Sequence, residues 1–573
     1  MESARTFLFI TFAFLTFLLY QEWEKVHAPV KQPRPPIESS FDSLDTAVLP
    51  TTSNESSLND EPVDIDSPQP EVINTVNTNI VNEQSISVET DTLKVLISTK
   101  GGNFVSAELK NYKESMDKGS LPINILENRS SRVFQAISGL FGKDGPNDNK
   151  QTAIYQAESN HYQLGPNQPE LVVDLKWVSE HDVVFIKRFT FHRDSYVINV
   201  DYIVNNTSDQ TLSHRMFTAL KRDTLPADGQ TSSGIGMRSY LGPAYSSDEK
   251  KYNKYDFDDL KDANLNIKTT KGWVAMLQHY FVTAWIPVSG SGYIIDSRTK
   301  AMAGTDLTLI RITGFSQKIA PGESAEFKSK LYVGPKIQDN LEDIADGLEL
   351  TVDYGWLWWI GQPIFHLLTF FQSFVINWGL AIILVTISIK TLLYPLARAQ
   401  YRSFAKMRLL QPKMTAMKEQ FGDDRQKMSM KMMELYKKEK VNPLGGCLPL
   451  LVQMPVFISL YWVLMESVEL RHAPFIFWIT DLSVMDPFYV MPLMYGASMY
   501  LMQKMQPVSP TMDPMQQKMM QMMPLMMMVF FVFFPAGLVL YWLMNNLISI
   551  AQQLYVTKQF NLEQEQKKSK SKV

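Results

Sequence analysis

The stretch GLAIILVTISIKTLLYPL, residues Gly379–Leu396, decides how this chain is to be interpreted. An apolar run of this length is typical of a membrane-spanning helix. Its one charged residue is Lys390, and a cation at the centre of such a helix costs about 2.5–3.5 kcal/mol on insertion scales. From this stretch alone two interpretations stay open. Either the lysine stem extends its ammonium to the membrane surface, or the cation serves the protein's function.

The composition of the 573-residue chain changes along its length. The first part is polar, whereas from Tyr354 onward the chain is apolar, rich in methionine and interrupted by basic loops. The single cysteine, Cys447, excludes an intramolecular disulfide framework and a CxxC redox or zinc site. No Walker A loop, HExxH or G-x-S-x-G motif occurs, so we expect no nucleotide chemistry, no hydrolase nucleophile, no metal and no cofactor.

The polar part divides into three segments. Residues 1–27 contain an apolar run, Phe7–Tyr20, without a small-residue cleavage site after it, which predicts an uncleaved signal-anchor span. Residues 28–85 are rich in Pro, Ser, Asn and acidic residues, a composition typical of a flexible tether. Residues 86–350 show short alternating runs, such as the one over 196–204, and predict a β-sandwich closed by a helix over Lys336–Leu350.

The apolar part predicts a helical membrane bundle. Residues 351–376 are rich in aromatic residues and predict an amphipathic helix lying along the membrane surface. Residues 377–560 predict a five-span core that includes a helical hairpin over 398–440 and turns at 422–424. With the signal anchor this makes six spans. The five predicted core spans are Gly379–Leu396, Leu444–Met465, Phe488–Gln503, Met519–Phe534 and Leu538–Tyr555.

Basic residues predict the orientation of these spans. The segment 398–440 carries twelve Lys or Arg residues against five Asp or Glu residues, and the tail at 561–573 is also basic. Cytoplasmic loops are enriched in Lys and Arg. We therefore expect the hairpin and both chain termini in the cytoplasm, and the β-domain on the opposite side of the membrane.

Six short sequence motifs resemble those of one protein family. They are KGWVAMLQHYFVTAWIP (271–287), LTVDYGWLW (350–358), KMRLLQPK (406–413), NPLGGCLPLLVQMPVF (442–457), DPMQQK (513–518) and FPAGLVLYW (534–542). In order and spacing the chain resembles the YidC/Oxa/Alb membrane protein insertases, in their long bacterial form with a large periplasmic domain. The resemblance implies a multi-pass protein of the bacterial inner membrane and a periplasmic all-β supersandwich like that of sugar mutarotases.

The same resemblance implies a function and partners. Such a protein inserts integral membrane proteins and helps them fold, alone or with the Sec translocon. Nascent membrane proteins, the Sec translocon and membrane lipids are the expected partners, with the ribosome and the signal-recognition receptor as further ones. No specific nucleic acid is expected, although the basic tail favours non-specific attraction to phosphates.

The candidate site lies around Lys390, a position where the resembling family commonly has arginine. The resemblance implies that Thr386 and Trp542 line the substrate path. The predicted spans also carry polar side chains, which either form hydrogen bonds between helices or line a hydrated groove open to the cytoplasm. The polar set is Ser388, Gln453, Ser459, Tyr461, Asn545, Asn546, Ser549 and Gln552. Tyr541, next to Trp542, is a further candidate for the groove.

Two further surfaces each allow two interpretations. The hairpin either presents a solvated charged face or receives clients through its basic residues Arg402, Lys406, Arg408 and Lys413. The methionine-rich segments 428–433 and 518–528 favour either a promiscuous client-binding surface or ordinary apolar packing.

Two rival functions stay open at the level of sequence. One is a secondary transporter or proton channel that uses Lys390, although no Asp or Glu lies in the five predicted core spans to pair with it. The other is a carbohydrate enzyme on the β-domain, which requires two carboxylates that converge in a pocket.

Overall fold

The computed structural model describes residues 85–129, 131–148, 151–225, 239–288, 290, 292–302, 305–421, 424–439, 448–506 and 514–570. The predicted signal anchor, almost all of the predicted tether and the hairpin turn at 422–423 lie outside the described residues. The chain divides into two compact units, whose described parts cover 85–352 and 353–570. We call them the β-unit and the helical unit.

The β-unit consists mainly of short antiparallel strands. Its first strands are β1 (Ser85–Glu89), β2 (Leu93–Ser98), β3 (Phe104–Lys113), β4 (Pro122–Arg129), β5 (Arg132–Phe141), β6 (Asn147–Asp148), β7 (Gln151–Thr152), β8 (Gln156–Ala157), β9 (His161–Gln163), β10 (Glu170–Val178) and β11 (Val184–His192). The strands that follow are β12 (Val197–Asn205), β13 (Leu212–Asp223), β14 (Gly242–Tyr245), β15 (Asn253–Lys254), β16 (Asn266–Thr269), β17 (Val274–Leu277), β18 (Phe281–Pro287), β19 (Tyr293–Met302), β20 (Thr305–Gly314), β21 (Gln317–Ile319) and β22 (Ser324–Pro335).

All of these strands except β6 and β7, which pair only with each other, form two large sheets that face each other. One has eleven strands along the path β16-β19-β20-β13-β5-β4-β3-β2-β1-β9, with β21 added beside β13; the other has nine, in the order β15-β14-β17-β18-β22-β12-β11-β10-β8. Phe104 of β3 meets Phe189 of β11 edge to face, with 5.3 Å between the ring centroids. Trp285 of β18 donates its indole N–H to the Ala219 carbonyl of β13 at 3.0 Å. The two sheets therefore enclose one core, and the predicted all-β sandwich is confirmed.

The alternation that predicted this sandwich is visible in β12. Ile198, Val200, Tyr202 and Val204 are all fully buried, whereas the residues between them are half-buried. Side chains of a strand alternate between its two faces, so one face of β12 lines the core.

The closing helix of the β-unit is shorter than predicted. The described residues of this unit include two short helices, α1 (Phe257–Asp262) and α2 (Gln338–Ile344), and α2 ends well before Leu350. Gly347, with φ of +82°, adopts a left-handed conformation that a continuing helix does not allow, and a 3₁₀ turn over Glu349–Thr351 follows it.

The helical unit contains the segments for which spans were predicted. Its helices are α3 (Trp358–Val375), α4 (Trp378–Leu392), α5 (Tyr394–Phe421), α6 (Arg425–Lys438), α7 (Leu448–Glu466), α8 (Val490–Lys504), α9 (Pro514–Phe531) and α10 (Ala536–Lys570). By length and hydropathy, no single described helix is long and apolar enough to cross a membrane. The pair α4 and α5 passes the same test, but the two helices are bent by 68° from each other. That six segments of the chain cross the membrane stays a prediction.

The apolar run Gly379–Leu396 is not one straight helix, contrary to the expectation. Helix α4 ends at Leu392, and the chain turns at Leu393 into α5. Pro395 explains the break, because proline has no backbone N–H to continue the hydrogen bonds of α4 but is tolerated in the first turn of a helix, here α5. Lys390 consequently lies in the last turn of α4. There its positive charge meets the negative end of the helix dipole.

Helix α3 is amphipathic. Gly361, Ile364, Phe365 and Leu368 are buried and recur at helical spacing. Large aromatic side chains at its N-terminal end and on its other faces are exposed: Trp358, Trp359, Phe370 and Phe374. This pattern suits a helix that lies at a membrane surface, and that placement stays a prediction.

The segment between α7 and α8 closes one end of the helical unit. The Asn377 amide, at the start of α4, donates to the Phe475 carbonyl at 3.1 Å. The Gly537 N–H, at the start of α10, donates to the Leu482 carbonyl at 2.9 Å. Gly379 permits this approach, because a Cβ there would lie 2.1 Å from the Phe475 ring. The segment therefore joins the starts of α4 and α10.

The β-unit buries a lysine in its interior. Lys187 of β11 is fully buried, and its Nζ donates to the carbonyl oxygens of Gly101 at 3.0 Å and Ser138 at 3.1 Å. Ser138 belongs to β5 of the opposite sheet, and the ring of Tyr202 lies 5.0 Å from Nζ. Burial lowers the pKa of Lys187 well below its ordinary value of 10.5.

This burial predicts a pH-dependent stability. Because the folded β-unit releases the Lys187 proton at a lower pH than the unfolded chain, the unfolded chain binds more protons as the pH approaches 10.5. The contribution of Lys187 to the free energy of unfolding should therefore rise with pH in that window, so that wild type gains stability relative to Lys187→Met as the pH rises. The test is urea unfolding of the β-unit within the full chain, at several pH values between about 7 and about 10. Limited proteolysis reports the urea midpoint at each pH.

Lys176, exposed on the neighbouring strand β10, provides the control. Lys176→Met should keep the wild-type dependence on pH. Equal pH dependence in wild type and Lys187→Met would contradict the prediction.

Candidate functional site

The ammonium of Lys390 lies where three helices meet. The side chain is buried, with 8% of its surface exposed, and reaches from the last turn of α4. Its Nζ donates to Gln453 Oε1 of α7 at 3.3 Å and to Ser549 Oγ of α10 at 2.8 Å. Lysine at this position therefore links α4 to both partner helices by hydrogen bonds.

A network of neutral groups surrounds this contact. Gln453 Nε2 donates to Asn545 Oδ1, and Ser549 Oγ donates to the Asn545 carbonyl at 2.7 Å. Gln552 Nε2 donates to the Lys390 carbonyl at 3.4 Å. We call Lys390, Gln453, Asn545, Ser549 and Gln552 the lysine cluster. Within the described part of the chain, no carboxylate forms an ion pair with its ammonium, and the two side chains that accept from it are neutral.

Two residues predicted for the site are held elsewhere. Thr386 is buried on α4, and its hydroxyl donates to the Ile382 carbonyl of the same helix at 2.7 Å. Asn546 Nδ2 donates to Ser498 Oγ of α8 at 3.1 Å. Neighbouring positions on a helix differ by about 100° in direction, so Asn545 and Asn546 contact different helices.

Ser549 accepts the shorter of the two described hydrogen bonds from the ammonium. From the sequence it was predicted only as one of the polar set. It lies four residues after Asn545 on α10, and this spacing puts both side chains on one face of a helix. The spacing of Asn545, Ser549 and Gln552 is therefore the sequence signal that would have identified it.

Trp542 lies at the centre of an aromatic cluster formed by four helices. Its ring centroid is 4.4 Å from that of Phe457 on α7, 6.1 Å from Tyr495 on α8 and 5.6 Å from Phe531 on α9. Tyr541, its neighbour on α10, is 6.2 Å away and almost fully buried. Among the described residues, none accepts a hydrogen bond from the Trp542 indole N–H. Packing of the ring, rather than hydrogen bonding, accounts for its place here.

The hairpin helices pack through a small apolar core of their own. Leu410 and Met414 of α5 contact Met432 and Leu435 of α6, and all four are buried. Some methionines of the methionine-rich segments remain outside such packing: Met430, Met433, Met519, Met522, Met523 and Met526 are exposed. Packing in the hairpin core accounts for Met432, whereas both interpretations stay open for the exposed methionines.

The four basic hairpin residues differ in their surroundings. Arg402 pairs with Glu563 near the end of α10, and Arg408 donates to the Met505 carbonyl after α8 at 2.6 Å. Lys413 pairs with Glu439 at 2.7 Å across the hairpin. Lys406 is exposed. Arg402 and Arg408 thus tie the hairpin to α10 and α8, whereas Lys406 and Lys413 face solvent.

A cavity with a volume of about 260 Å³ lies in the β-unit. Its lining is mixed, with aromatic side chains, hydroxyls and one cation but no Asp or Glu among the described residues. This cavity therefore does not supply the two carboxylates that the carbohydrate-enzyme hypothesis requires. The lining side chains that carry these groups are Thr218, Tyr293, Phe315, Ser316, Phe327, Lys328 and Ser329.

Two protein-family models match this chain in succession. The model described as YidC periplasmic domain matches residues 85–367, and the model described as 60Kd inner membrane protein matches residues 370–565. The first match covers the β-unit, and the second covers the helices that carry the lysine cluster.

Similar proteins match over nearly the full length. The membrane protein insertase YidC of Aeromonas salmonicida is 47% identical over 563 residues, which is 98% of both chains. That of Shewanella woodyi is 48% identical over 97% of this chain and 98% of its own. A crystal structure of an active YidC insertase with its first transmembrane domain resolved covers 82% of this chain and 92% of its own, with 17% identity and a TM-score of 0.36.

The aromatic cluster predicts a stability effect at Trp542. Trp542→Ala would leave a cavity between four helices and should destabilise the helical unit by about 3–5 kcal/mol. Trp542→Phe keeps a six-membered aromatic ring and removes the five-membered ring with its indole N–H, which lacks an acceptor among the described residues, so it should cost less stability than Trp542→Ala. Thermal unfolding of the detergent-solubilised chain, followed by size-exclusion chromatography, compares them. Equal midpoints for the Ala and Phe variants would be evidence against a role of ring packing.

Proposed function

The chain belongs to the YidC family of membrane protein insertases, and we propose that its lysine cluster binds the polar tail of a client as the client enters the helical unit. The chain is itself a membrane protein insertase of the inner membrane, with a periplasmic domain. The observation that carries the proposal is a buried ammonium whose described partners are all neutral.

An unneutralised cation at this depth attracts a negatively charged group. Two unit charges about 4 Å apart interact by about 4 kcal/mol at an effective dielectric constant near 20. An acidic residue in the N-terminal tail of a client would gain an interaction of this order at Lys390. An interaction of this size is strong enough to hold the tail briefly and weak enough to release it.

Release requires no chemical fuel in this proposal. The hydrophobic segment of the client leaves water for lipid once its polar tail is held, and the free energy of that burial drives insertion. The polar side chains of the lysine cluster lower the cost of the intermediate, because they offer hydrogen bonds where lipid offers none. We propose that the cluster lines a hydrated groove that opens to the cytoplasm and sideways to lipid.

The hairpin is proposed to receive the client before the groove does. Arg402 and Arg408 attach it to α10 and α8, so the base of the hairpin lies on helices that carry the lysine cluster or neighbour it. Lys406 and Lys413 add positive charge to its surface. In this proposal the hairpin and both termini are cytoplasmic, six spans cross the membrane, and the β-unit is a periplasmic supersandwich. The Sec translocon, the ribosome and the signal-recognition receptor are proposed partners.

A transporter that couples through Lys390 has less support. Ion-coupled sites usually pair the base with an intramembrane acid, and no described carboxylate pairs with this ammonium. The neutral surroundings of Lys390 suit transient binding of an acidic client better than a permanent ion pair.

Charge capture predicts different outcomes for two substitutions of Lys390. Lys390→Met keeps a flexible unbranched side chain without charge, and insertion of a single-span client with an acidic N-terminal tail should fall at least about tenfold, because a loss of about 1.4 kcal/mol out of the attraction of about 4 kcal/mol is enough for that change. Lys390→Arg keeps the charge and should retain most of the activity. Protease protection of the client in proteoliposomes measures insertion.

The control is a client that is identical except for Asn in place of each tail Asp. Its insertion should change little in either variant, because it has no charge for Lys390 to attract. If Lys390→Met inserted the acidic client as well as wild type does, charge capture at this residue would be ruled out.

A further inference from the structure

We propose that the neutrality of Gln453 determines which clients the chain prefers: Gln453 holds the Lys390 ammonium without cancelling its charge. This inference rests on the proposed function and deepens it. It assigns the preference for acidic tails to a residue beside the lysine, in addition to the lysine itself.

The first argument comes from the donors of the ammonium. A lysine ammonium has three N–H donors. Among the residues that the structure describes, two accept from it, Gln453 Oε1 at 3.3 Å and Ser549 Oγ at 2.8 Å. The third donor is left for a client, and the other two hold the ammonium between α7 and α10. Lys390 thus offers a single hydrogen bond in a defined direction, in addition to its charge.

The second argument comes from the orientation of the Gln453 amide. Its Nε2 donates to Asn545 Oδ1, so its Oε1 is the atom that faces the ammonium. Tyr541 is a further hydrogen-bond neighbour of Gln453. Loss of the Asn545 acceptor would still weaken the constraint that keeps the Gln453 NH₂ group away from Lys390, where donor would meet donor. Asn545 is therefore a positioning residue that acts on Lys390 through Gln453.

The third argument compares glutamine with glutamate at this position. The two side chains have nearly the same shape, and both can accept a hydrogen bond from Lys390. A carboxylate there, however, would form a permanent ion pair within the buried cluster, where the attraction between opposite charges is stronger than in water. The pair would cancel the field that reaches the client. Glutamine is thus the acceptor that positions the ammonium while its charge stays available.

Two substitutions of Gln453 separate this role from a purely structural one. Gln453→Leu removes the hydrogen bond and leaves the charge of Lys390 intact, whereas Gln453→Glu keeps an acceptor and cancels the charge. A structural role predicts that Glu is tolerated better than Leu. Our proposal predicts the reverse order for acidic clients.

The experiment uses the full chain in proteoliposomes and two single-span clients, one with Asp and one with Asn in the N-terminal tail. The quantity compared is the ratio of inserted acidic client to inserted neutral client. In wild type the ratio should exceed one. In Gln453→Leu it should stay within about threefold of wild type, and in Gln453→Glu it should fall about tenfold, toward one.

A matched control introduces the same change elsewhere. Gln503 of α8 donates its amide to the Met520 carbonyl of α9, away from the lysine cluster. Gln503→Glu should leave the ratio at the wild-type value, even if total insertion falls through lost stability.

The outcomes distinguish this inference from the proposed function. If Lys390→Met abolishes the preference for the acidic client but Gln453→Glu keeps it as well as Gln453→Leu does, the inference is overturned and the proposed function stands. An equal loss of both clients in Gln453→Glu, with the ratio unchanged, also overturns the inference, because it indicates a structural role. If wild type shows no preference, charge capture itself is wrong, and the inference is wrong with it.

Discussion

The helical unit depends on one constraint: a positive charge is buried among neutral groups at the junction of three helices. Lys390 satisfies two of its hydrogen-bond donors with Gln453 and Ser549, and its charge is balanced by dipoles instead of a described carboxylate. Burial of an ammonium in apolar surroundings is costly, and the polar side chains of α7 and α10 reduce that cost. The same arrangement that makes the lysine tolerable leaves it able to attract an acid.

The backbone around Lys390 supports this arrangement. Because the chain breaks before Pro395, Lys390 lies in the last turn of α4, where the helix dipole favours a cation. At the start of α4, Asn377 donates to the segment between α7 and α8, and the same segment accepts a hydrogen bond from Gly537 at the start of α10. The position of α4 relative to α10 is therefore defined at both ends of α4, by the connecting segment at one end and by the lysine cluster at the other.

Two buried lysines of the chain show how surroundings decide a role. Lys187 is enclosed in the sandwich core and donates to main-chain carbonyls, which belong to the fold itself. Lys390 is bound by side chains of other helices and keeps one donor for a client in our proposal. Composition alone does not distinguish them, since each is a cation within an apolar strand or helix.

Local pattern in the sequence determined much of this protein. The alternation over 196–204 predicted the buried face of β12, and Lys390 is the one charged residue of the apolar run at Gly379–Leu396. Both features are visible in the sequence because side-chain periodicity and hydropathy are properties of neighbouring residues. The sequence did not determine where α4 ends, since the effect of Pro395 competes with an uninterrupted apolar run. Nor did it show that Asn545 and Ser549 serve Lys390 while Asn546 serves Ser498. Those choices depend on how helices far apart in the chain pack against one another, and only the tertiary structure decides which polar groups share one buried charge.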